Sequence, residues 1–247
     1  MIDFALDSEH QELQEMYRKF AEERVKPLAH EMDEAEKYDM GLLQEMKDCG
    51  FFGIPFSEVY GGAGGDVLSY VLCMEEMSKV DASTGITLSV HTSLCASTIE
   101  EFGTEEQKQK WLRPLADGSK IGCFGLTEPG AGSDAAGIKT TYKKVEGGYI
   151  LNGSKIYNTG ASIAAYNNIV ARDADVDDPH KAMSMFLVPM DTPGVRAVNL
   201  NKVGQWMEPT CETFLDNVFV PDSALYGKEH GAWIQLMKHF EAERLLC

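Results

Sequence analysis

The sequence has no uninterrupted apolar run near the roughly 18 residues that a membrane-spanning helix needs, which argues against a helical membrane anchor. It is short of cations: 22 Lys and Arg stand against 39 Asp and Glu, a formal net charge of −17. Duplex DNA and anionic membrane surfaces are bound through clustered cations, so neither nucleic acid nor membrane is expected as a partner. A small anionic ligand stays open, because a nest of backbone N–H groups suffices for one. The cysteines (Cys49, Cys73, Cys95, Cys123, Cys211 and Cys247) contain no C-x-x-C pair, and the scattered histidines form no H-E-x-x-H. No metal site is expected, and the thiols read as a mostly buried, cytosolic set. The acidic start Met1-Ile2-Asp3-Phe4-Ala5-Leu6-Asp7 lacks the basic and apolar regions of a secretory signal, which fits a cytoplasmic location. What is present, 247 residues with 44% hydrophobic and 25% charged, suffices for one or two globular domains.

The patterning changes once, near residue 120. Upstream it is helical. Ser8 with Gln11 reads as a capping box, and Leu13, Met16, Tyr17 and Phe20 recur at i, i+3, i+4 and i+7, which predicts a helix to about His30. Asp39 starts a second helix that Gly50 ends, and a loop from Ile54 to Gly65 precedes a third over 67–79. Asp81 caps a fourth over 82–101; Thr104 with Gln107 caps a fifth that Pro114 closes. Downstream come short β runs at 121–127, 139–145, 149–156, 168–172, 184–189, 195–200 and 212–220, with Glu146-Gly147-Gly148 as a hairpin turn. Strands in series with no helices between them predict an antiparallel barrel or sandwich. From Gly231 helical spacing returns through Trp233, Leu236, Met237, Phe240 and Arg244 and reaches Cys247 without a cap, so a C-terminal helical domain is expected to be cut short. The expected fold is α+β. It has an all-α helical domain over 1–119, an antiparallel β-barrel or sandwich domain over 120–229, and the first helix of a truncated helical bundle over 230–247.

Gly130-Ala131-Gly132-Ser133-Asp134-Ala135 satisfies the dinucleotide spacing G-x-G-x-x-A, but that fingerprint needs a helix and then a parallel strand. Lys139 to Tyr142 and Gly148 to Leu151 predict a hairpin instead. What remains is a glycine turn that lets a ligand approach the backbone, with N–H groups and the Ser133 hydroxyl able to cradle a pyrophosphate. The plainer reading is a turn and nothing more.

The longer string Thr127-Glu128-Pro129-Gly130-Ala131-Gly132-Ser133-Asp134, followed by Gly153-Ser154-Lys155-Ile156, resembles the acyl-CoA dehydrogenase family. So do Tyr60-Gly61-Gly62, the run from Glu105 to Leu115, and Phe214 to Pro221, and the resemblance extends over the whole chain. It implies FAD held by a helical domain and a β-domain against a C-terminal bundle. The implied flavin contacts are Phe124, Gly125, Leu126, Thr127, Gly130, Ala131, Gly132 and Ser133, then Tyr157, Asn158 and Thr159. Thr127 would lie by the pyrimidine side of the ring, Ser133 at the pyrophosphate and near the thioester, and Thr159 at flavin N5. The implied reaction is α,β-desaturation of an acyl-CoA thioester, in which a carboxylate takes the α-proton and flavin N5 accepts the β-hydride.

Glu243, immediately before Arg244, matches one of two places where the family carries its base, the one used by the isovaleryl and long-chain branches. A solvated or i,i+4-paired glutamate is the ordinary alternative there. Burial beside an acyl chain would raise its pKa toward working pH. The resemblance also implies that Arg244 holds that carboxylate or the substrate pocket, and that Glu241 contacts the coenzyme A part, alongside Ser133. Electron-transfer flavoprotein is the implied electron acceptor and a homotetramer the implied assembly. The alternatives are an enoyl-CoA reductase running the reverse reaction and a truncated, non-catalytic flavin- or partner-binding protein.

Two stretches depart from the family's pattern. Lys-x-Trp-Ile-Thr-Asn becomes Lys155-Ile156-Tyr157-Asn158-Thr159-Gly160, equal in length, so Thr159 stays in register. Tyr157 can stack with a smaller face or simply pack in the core, and Gly160 loosens the turn after Thr159. Gly204-Gln205-Trp206-Met207-Glu208-Pro209-Thr210 stands in place of Gly-x-Arg-x-Ser-x-Thr. Trp206 also admits plain core packing, and the sequence shows no compensation for Trp206 or Glu208.

Overall fold

The computed structural model describes residues 5–244, with the backbone alone for Ala242 and Glu243. Helix α1 (Ser8–Phe20) passes through a wide turn over Ala21–Val25 into α2 (Lys26–Glu34), so the first rod outruns the spacing-based expectation. Its cap is Asp7 rather than Ser8. The Asp7 carboxylate accepts from the His10 N–H at 2.9 Å, and the Gln11 side chain donates to the Leu6 carbonyl instead. Helices α3 (Met40–Asp48), α4 (Val67–Val80) and α5 (Ala82–Ser89) start at Asp39, Asp66 and Asp81, whose carboxylates accept from the N–H groups of Leu42, Ser69 and Thr84. Each satisfies an amide that helix geometry leaves free and sets negative charge at the positive end of the helix dipole.

A wide turn over Val90–Ala96 carries the chain into α6 (Ser97–Phe102). Thr104 and Gln107 form the expected capping box on α7 (Glu105–Gln107), and the helical path continues through Lys108–Leu112 into α8 (Arg113–Ala116). Pro114 therefore does not close the helix. It occupies the first turn of α8, where its missing N–H costs nothing.

The strands are β1 (Gly122–Gly125), β2 (Thr141–Val145), β3 (Gly148–Thr159) and β4 (Tyr166–Asp173), then β5 (Met183–Pro189), β6 (Val195–Asn199), β7 (Thr210–Pro221) and β8 (Leu225–Tyr226). They form one sheet in the order β6-β7-β3-β2-β4-β5-β8, with β1 beside β4. Most pairings are antiparallel, as expected, but β1 and β2 run parallel to β4. A parallel pair needs a long crossover, and between β1 and β4 the β2–β3 hairpin itself supplies it. A short α9 (Pro179–Ala182) interrupts the strand series before β5, and α10 (Ala232–Glu243) follows the sheet.

One apolar cluster lies among the first helices, with Tyr17, Leu42, Met46, Phe51, Tyr70 and Met77. A second joins helices, sheet and α10 through Ile99, Trp111, Leu115, Phe124, Leu187, Tyr226 and Leu236. At that seam His91 is fully buried: its Nδ1 accepts from the Gly122 N–H at 3.1 Å, and its Nε2 donates to the Leu115 carbonyl at 3.2 Å. Burial pushes its pKa down to about 4, so the ring is neutral at pH 7. Cys73, Cys95, Cys123 and Cys211 are buried free thiols and Cys49 is an exposed one. Among the described residues, no helix is long and apolar enough to cross a membrane, and no His, Cys, Asp and Glu group could hold a metal ion.

Candidate functional site

The site grows from a bulge in β3. Lys155 faces Thr213 of β7, but Asn158 faces Cys211, so three steps on β3 match two on its partner. Such an insertion bends the strand and re-aims a side chain. Tyr157, at φ 56°, is the residue turned out, and it is 67% exposed. Core packing is thereby excluded for it.

On either side of the bulge, β3 is stitched to the loop that leaves β1. The Lys155 ammonium donates to the Leu126 carbonyl at 3.1 Å and to Glu128 Oε1 at 2.7 Å. The Ile156 N–H donates to the Thr127 carbonyl at 2.8 Å, and the Asn158 amide to the Phe124 carbonyl at 2.8 Å. Asn158 Oδ1 accepts from Asn167 at 2.6 Å and from the Thr213 hydroxyl at 2.9 Å. Glu128 also accepts from the N–H groups of Lys139 and Thr140, at 2.6 and 2.9 Å. Burial works against its charge, but Lys155 and these donors outweigh it and hold the carboxyl below its ordinary range. For Lys155, burial wins over Glu128 and takes the ammonium down to about 8.

Beyond Glu128 the chain makes a tight turn, with reciprocal N–H to carbonyl bonds between Glu128 and Ala131 at 3.0 Å. Gly130 and Gly132 are exposed, neither has positive φ, and a Cβ built on either would meet nothing within 4 Å. Neither backbone strain nor crowding within the protein calls for glycine there. A turn of this kind leaves room for a diphosphate to approach the backbone. Among the described residues, the amides of Gly130, Gly132 and Ser133 make no hydrogen bond, and Ser133 is exposed beside them.

Next to this turn an open cleft is lined by Leu94, Phe124, Leu126, Thr127, Ile156, Tyr157, Phe240 and Arg244. Phe124 meets Phe240 edge-on, with ring centroids 6.3 Å apart, and the Arg244 guanidinium lies 5.8 Å from the Phe240 ring centre. Of the residues proposed from sequence, Phe124, Leu126, Thr127, Tyr157 and Arg244 therefore converge. Gly125 is buried in β1, where a Cβ would meet the Ile169 side chain at 2.7 Å. Gly130, Ala131, Gly132 and Ser133 form the adjoining turn; Asn158 is buried beneath the bulge and Thr159 half-buried at the end of β3. Glu241 is exposed on α10 and is not among the residues that line the cleft. Glu243 ends α10, and its side chain lies outside the described residues.

Sequence reasoning missed Leu94, which it did not single out, Phe240, which it named only for its helical spacing, and the buried Glu128–Lys155 pair, whose residues stand 27 apart in the chain. It also misread Gly160. The turn is pinned, because the Gly160 N–H donates to Glu208 Oε1 at 2.7 Å and to the Pro209 carbonyl at 2.9 Å. Trp206 is 41% exposed rather than core: its backbone N–H donates to Asp33 at 2.7 Å and its indole to the Lys202 carbonyl at 2.8 Å. It docks the β6–β7 loop on α2.

The fold and site define a class of protein in which helices pack on a mostly antiparallel sheet and a glycine turn is stitched to a bulged strand. Residues 7–119 match the model for the acyl-CoA dehydrogenase N-terminal domain and residues 123–218 that for the acyl-CoA dehydrogenase middle domain. The chain is 44% identical over 249 residues to a short-chain specific acyl-CoA dehydrogenase of Clostridium acetobutylicum, covering 99% of this chain and 64% of that one. The structure of butyryl-CoA dehydrogenase from Megasphaera elsdenii matches with a TM-score of 0.94 at 38% identity, over 99% of this chain and 65% of that one. A glutaryl-CoA dehydrogenase of Mycobacterium smegmatis in complex with FADH2 matches at 0.87 with 32% identity, over 98% of this chain and 61% of that one. The chain belongs to the acyl-CoA dehydrogenase family, and it spans about 64% of the length of the Clostridium relative.

Proposed function

We propose that the protein is an FAD-dependent acyl-CoA dehydrogenase that introduces an α,β double bond into an acyl-CoA thioester. The observation that carries this is the cleft itself, where Thr127, the exposed Tyr157 ring and the Phe240–Arg244 face of α10 converge beside a glycine turn with unbonded amides. Phe124 to Thr127 with Tyr157, Asn158 and Thr159 would hold the flavin ring, and the turn from Gly130 to Ser133 its diphosphate. A relative solved with FADH2 supports the choice of cofactor. Bound there, FAD supplies a two-electron acceptor for the β-hydrogen.

The protein's own share is binding, orientation and proton removal. Tyr157 offers an aromatic face to a planar ring. Glu243, one residue before the cleft-lining Arg244, takes the α-proton, which is only weakly acidic and needs a positioned base. Ser133, Glu241 and Arg244 contact the thioester and coenzyme A parts. The same proposal divides the chain at 1–119, 120–229 and 230–247, takes electron-transfer flavoprotein as electron acceptor, and has the protein assemble as a homotetramer.

The test uses protein expressed from its complete reading frame. It should purify yellow, and one of butyryl-, isovaleryl- or palmitoyl-CoA should bleach it without oxygen. Glu243→Gln should keep the colour and bleach about 10²–10⁴-fold more slowly. Bleaching of that variant at the normal rate places the base elsewhere, and a colourless protein that takes up no FAD overturns the cofactor.

A further inference from the structure

One buried charge at the end of β3 has no task in the function proposed above. Glu208 is 1% exposed. Its Oε1 accepts from the Gly160 N–H at 2.7 Å and its Oε2 from the Thr210 hydroxyl at 2.7 Å, with the Lys202 ammonium 3.5 Å from that second oxygen. Gly160 has φ +78° and open space where a Cβ would stand, so left to itself it would be the loosest point of the strand exit. A carboxylate reaching from a loop 48 residues away clasps it, sharing the Gly160 N–H with the Pro209 carbonyl.

Thr159 lies between two fixed neighbours. Before it, Asn158 is bonded to Phe124, Asn167 and Thr213; after it, Gly160 is held by Glu208. Across the ladder Thr159 faces Thr210, the other residue that Glu208 holds. Gly160 and Glu208 are also two positions at which this chain departs from the family's pattern, and they are in contact with each other.

We propose that Glu208 is a positioning residue: by clamping Gly160 and Thr210 it aims the Thr159 hydroxyl at the flavin, which rests on the flavin reading above. What matters in this clamp is reach. Glutamine at 208 keeps an acceptor oxygen for the Gly160 N–H at the same reach, and its NH2 can donate to the Thr210 hydroxyl once that hydroxyl rotates, whereas aspartate keeps the charge one methylene short of Gly160.

The test compares wild type, Glu208→Gln, Glu208→Asp, Thr159→Ala and the Glu208→Asp/Thr159→Ala double variant, each expressed from the complete reading frame. FAD affinity is read by flavin fluorescence, and the flavin environment by the visible absorption band and the reduction potential. Glu208→Gln is expected to match wild type. Glu208→Asp is expected to weaken FAD binding about tenfold and to move band and potential in the direction of Thr159→Ala. The double variant should move them no further than Thr159→Ala alone. Thr210→Val loses one clamp point and keeps the buried carboxylate, so it should move the band the same way by less, which decides the matter if the aspartate variant fails to fold.

A wild-type band and potential in both Glu208→Asp and Thr210→Val overturn the role of Glu208. So does a Glu208→Asp effect that adds in full to that of Thr159→Ala, the mark of a merely structural residue. A wild type that takes up no FAD is a separate result: it overturns the flavin reading and the aim of Thr159 with it.

Discussion

Replacing Lys155 with methionine separates two contributions that the buried pair combines. At 2.7 Å and an effective dielectric near 20, its attraction to Glu128 is about 6 kcal/mol gross. Yet the ammonium sits at about 8 rather than its ordinary 10.5, which corresponds to about 3 kcal/mol against the charged form even with its partner present. Desolvation thus exceeds what Glu128 returns to Lys155, while Glu128 itself is held charged by Lys155 and its backbone donors, so the two sides offset and the pair adds little stability. Breaking it is another matter. In Lys155→Met, Glu128 stays buried with only the amides of Lys139 and Thr140 as donors, and a stranded buried charge costs about 3–5 kcal/mol. Glu128→Gln combined with Lys155→Met removes both charges and should fall within about 1–2 kcal/mol of wild type. Urea unfolding at pH 7, followed by tryptophan fluorescence on the two single variants and the double, measures the coupling. A double variant that loses the full sum of the two singles refutes the reasoning, because it would mean that neither charge depends on the other.

Two further outcomes are expected. The His91 pKa lies near 4 in the fold against an ordinary 6.5, so between those values the unfolded chain binds the extra proton and stability falls with falling pH, by about 3 kcal/mol in all. His91→Gln should flatten that part of the acid profile of urea midpoints relative to wild type, and an unchanged slope would show that the ring is not the group responsible. Asn158→Ala leaves the Phe124 carbonyl, the Asn167 amide and the Thr213 hydroxyl short of partners and should cost about 2–4 kcal/mol by thermal or urea unfolding; a loss below about 0.5 kcal/mol would show that the network under the bulge relaxes freely.

What could be read from the chain alone was what neighbouring residues decide. Asp39, Asp81 and the Thr104–Gln107 box mark helix starts because a cap acts within three residues of its own position. Asp7 and Ser8 stand side by side and are both good caps, so only geometry chooses between them. Pro114 misled because proline ends a helix in its interior but opens one in its first turn. The string from Thr127 to Asp134 was legible as a family resemblance, and its Glu128–Ala131 part is a local turn. Pairings between distant segments left no local trace. The parallel seating of β1 and β2 on β4, the Glu128–Lys155 pair and the Gly160–Glu208 clasp all join residues far apart in sequence. Tyr157 and Trp206 were open to core packing because aromatic rings are usually buried; a bulge and a loop seated on α2 put them outside.

The place of β7 in the sheet has a consequence for the order in which this protein is made. The loop from Phe124 to Glu128 emerges early in synthesis, yet Asn158 beneath it is braced by Thr213, and the turn after Thr159 is closed by Glu208. Until roughly ninety more residues have been made, the loop can pair with β3 but lacks the braces that β7 and the loop before it supply. A chain that stalled between residues 160 and 208 would hold the glycine turn and β3 yet lack both braces beneath them.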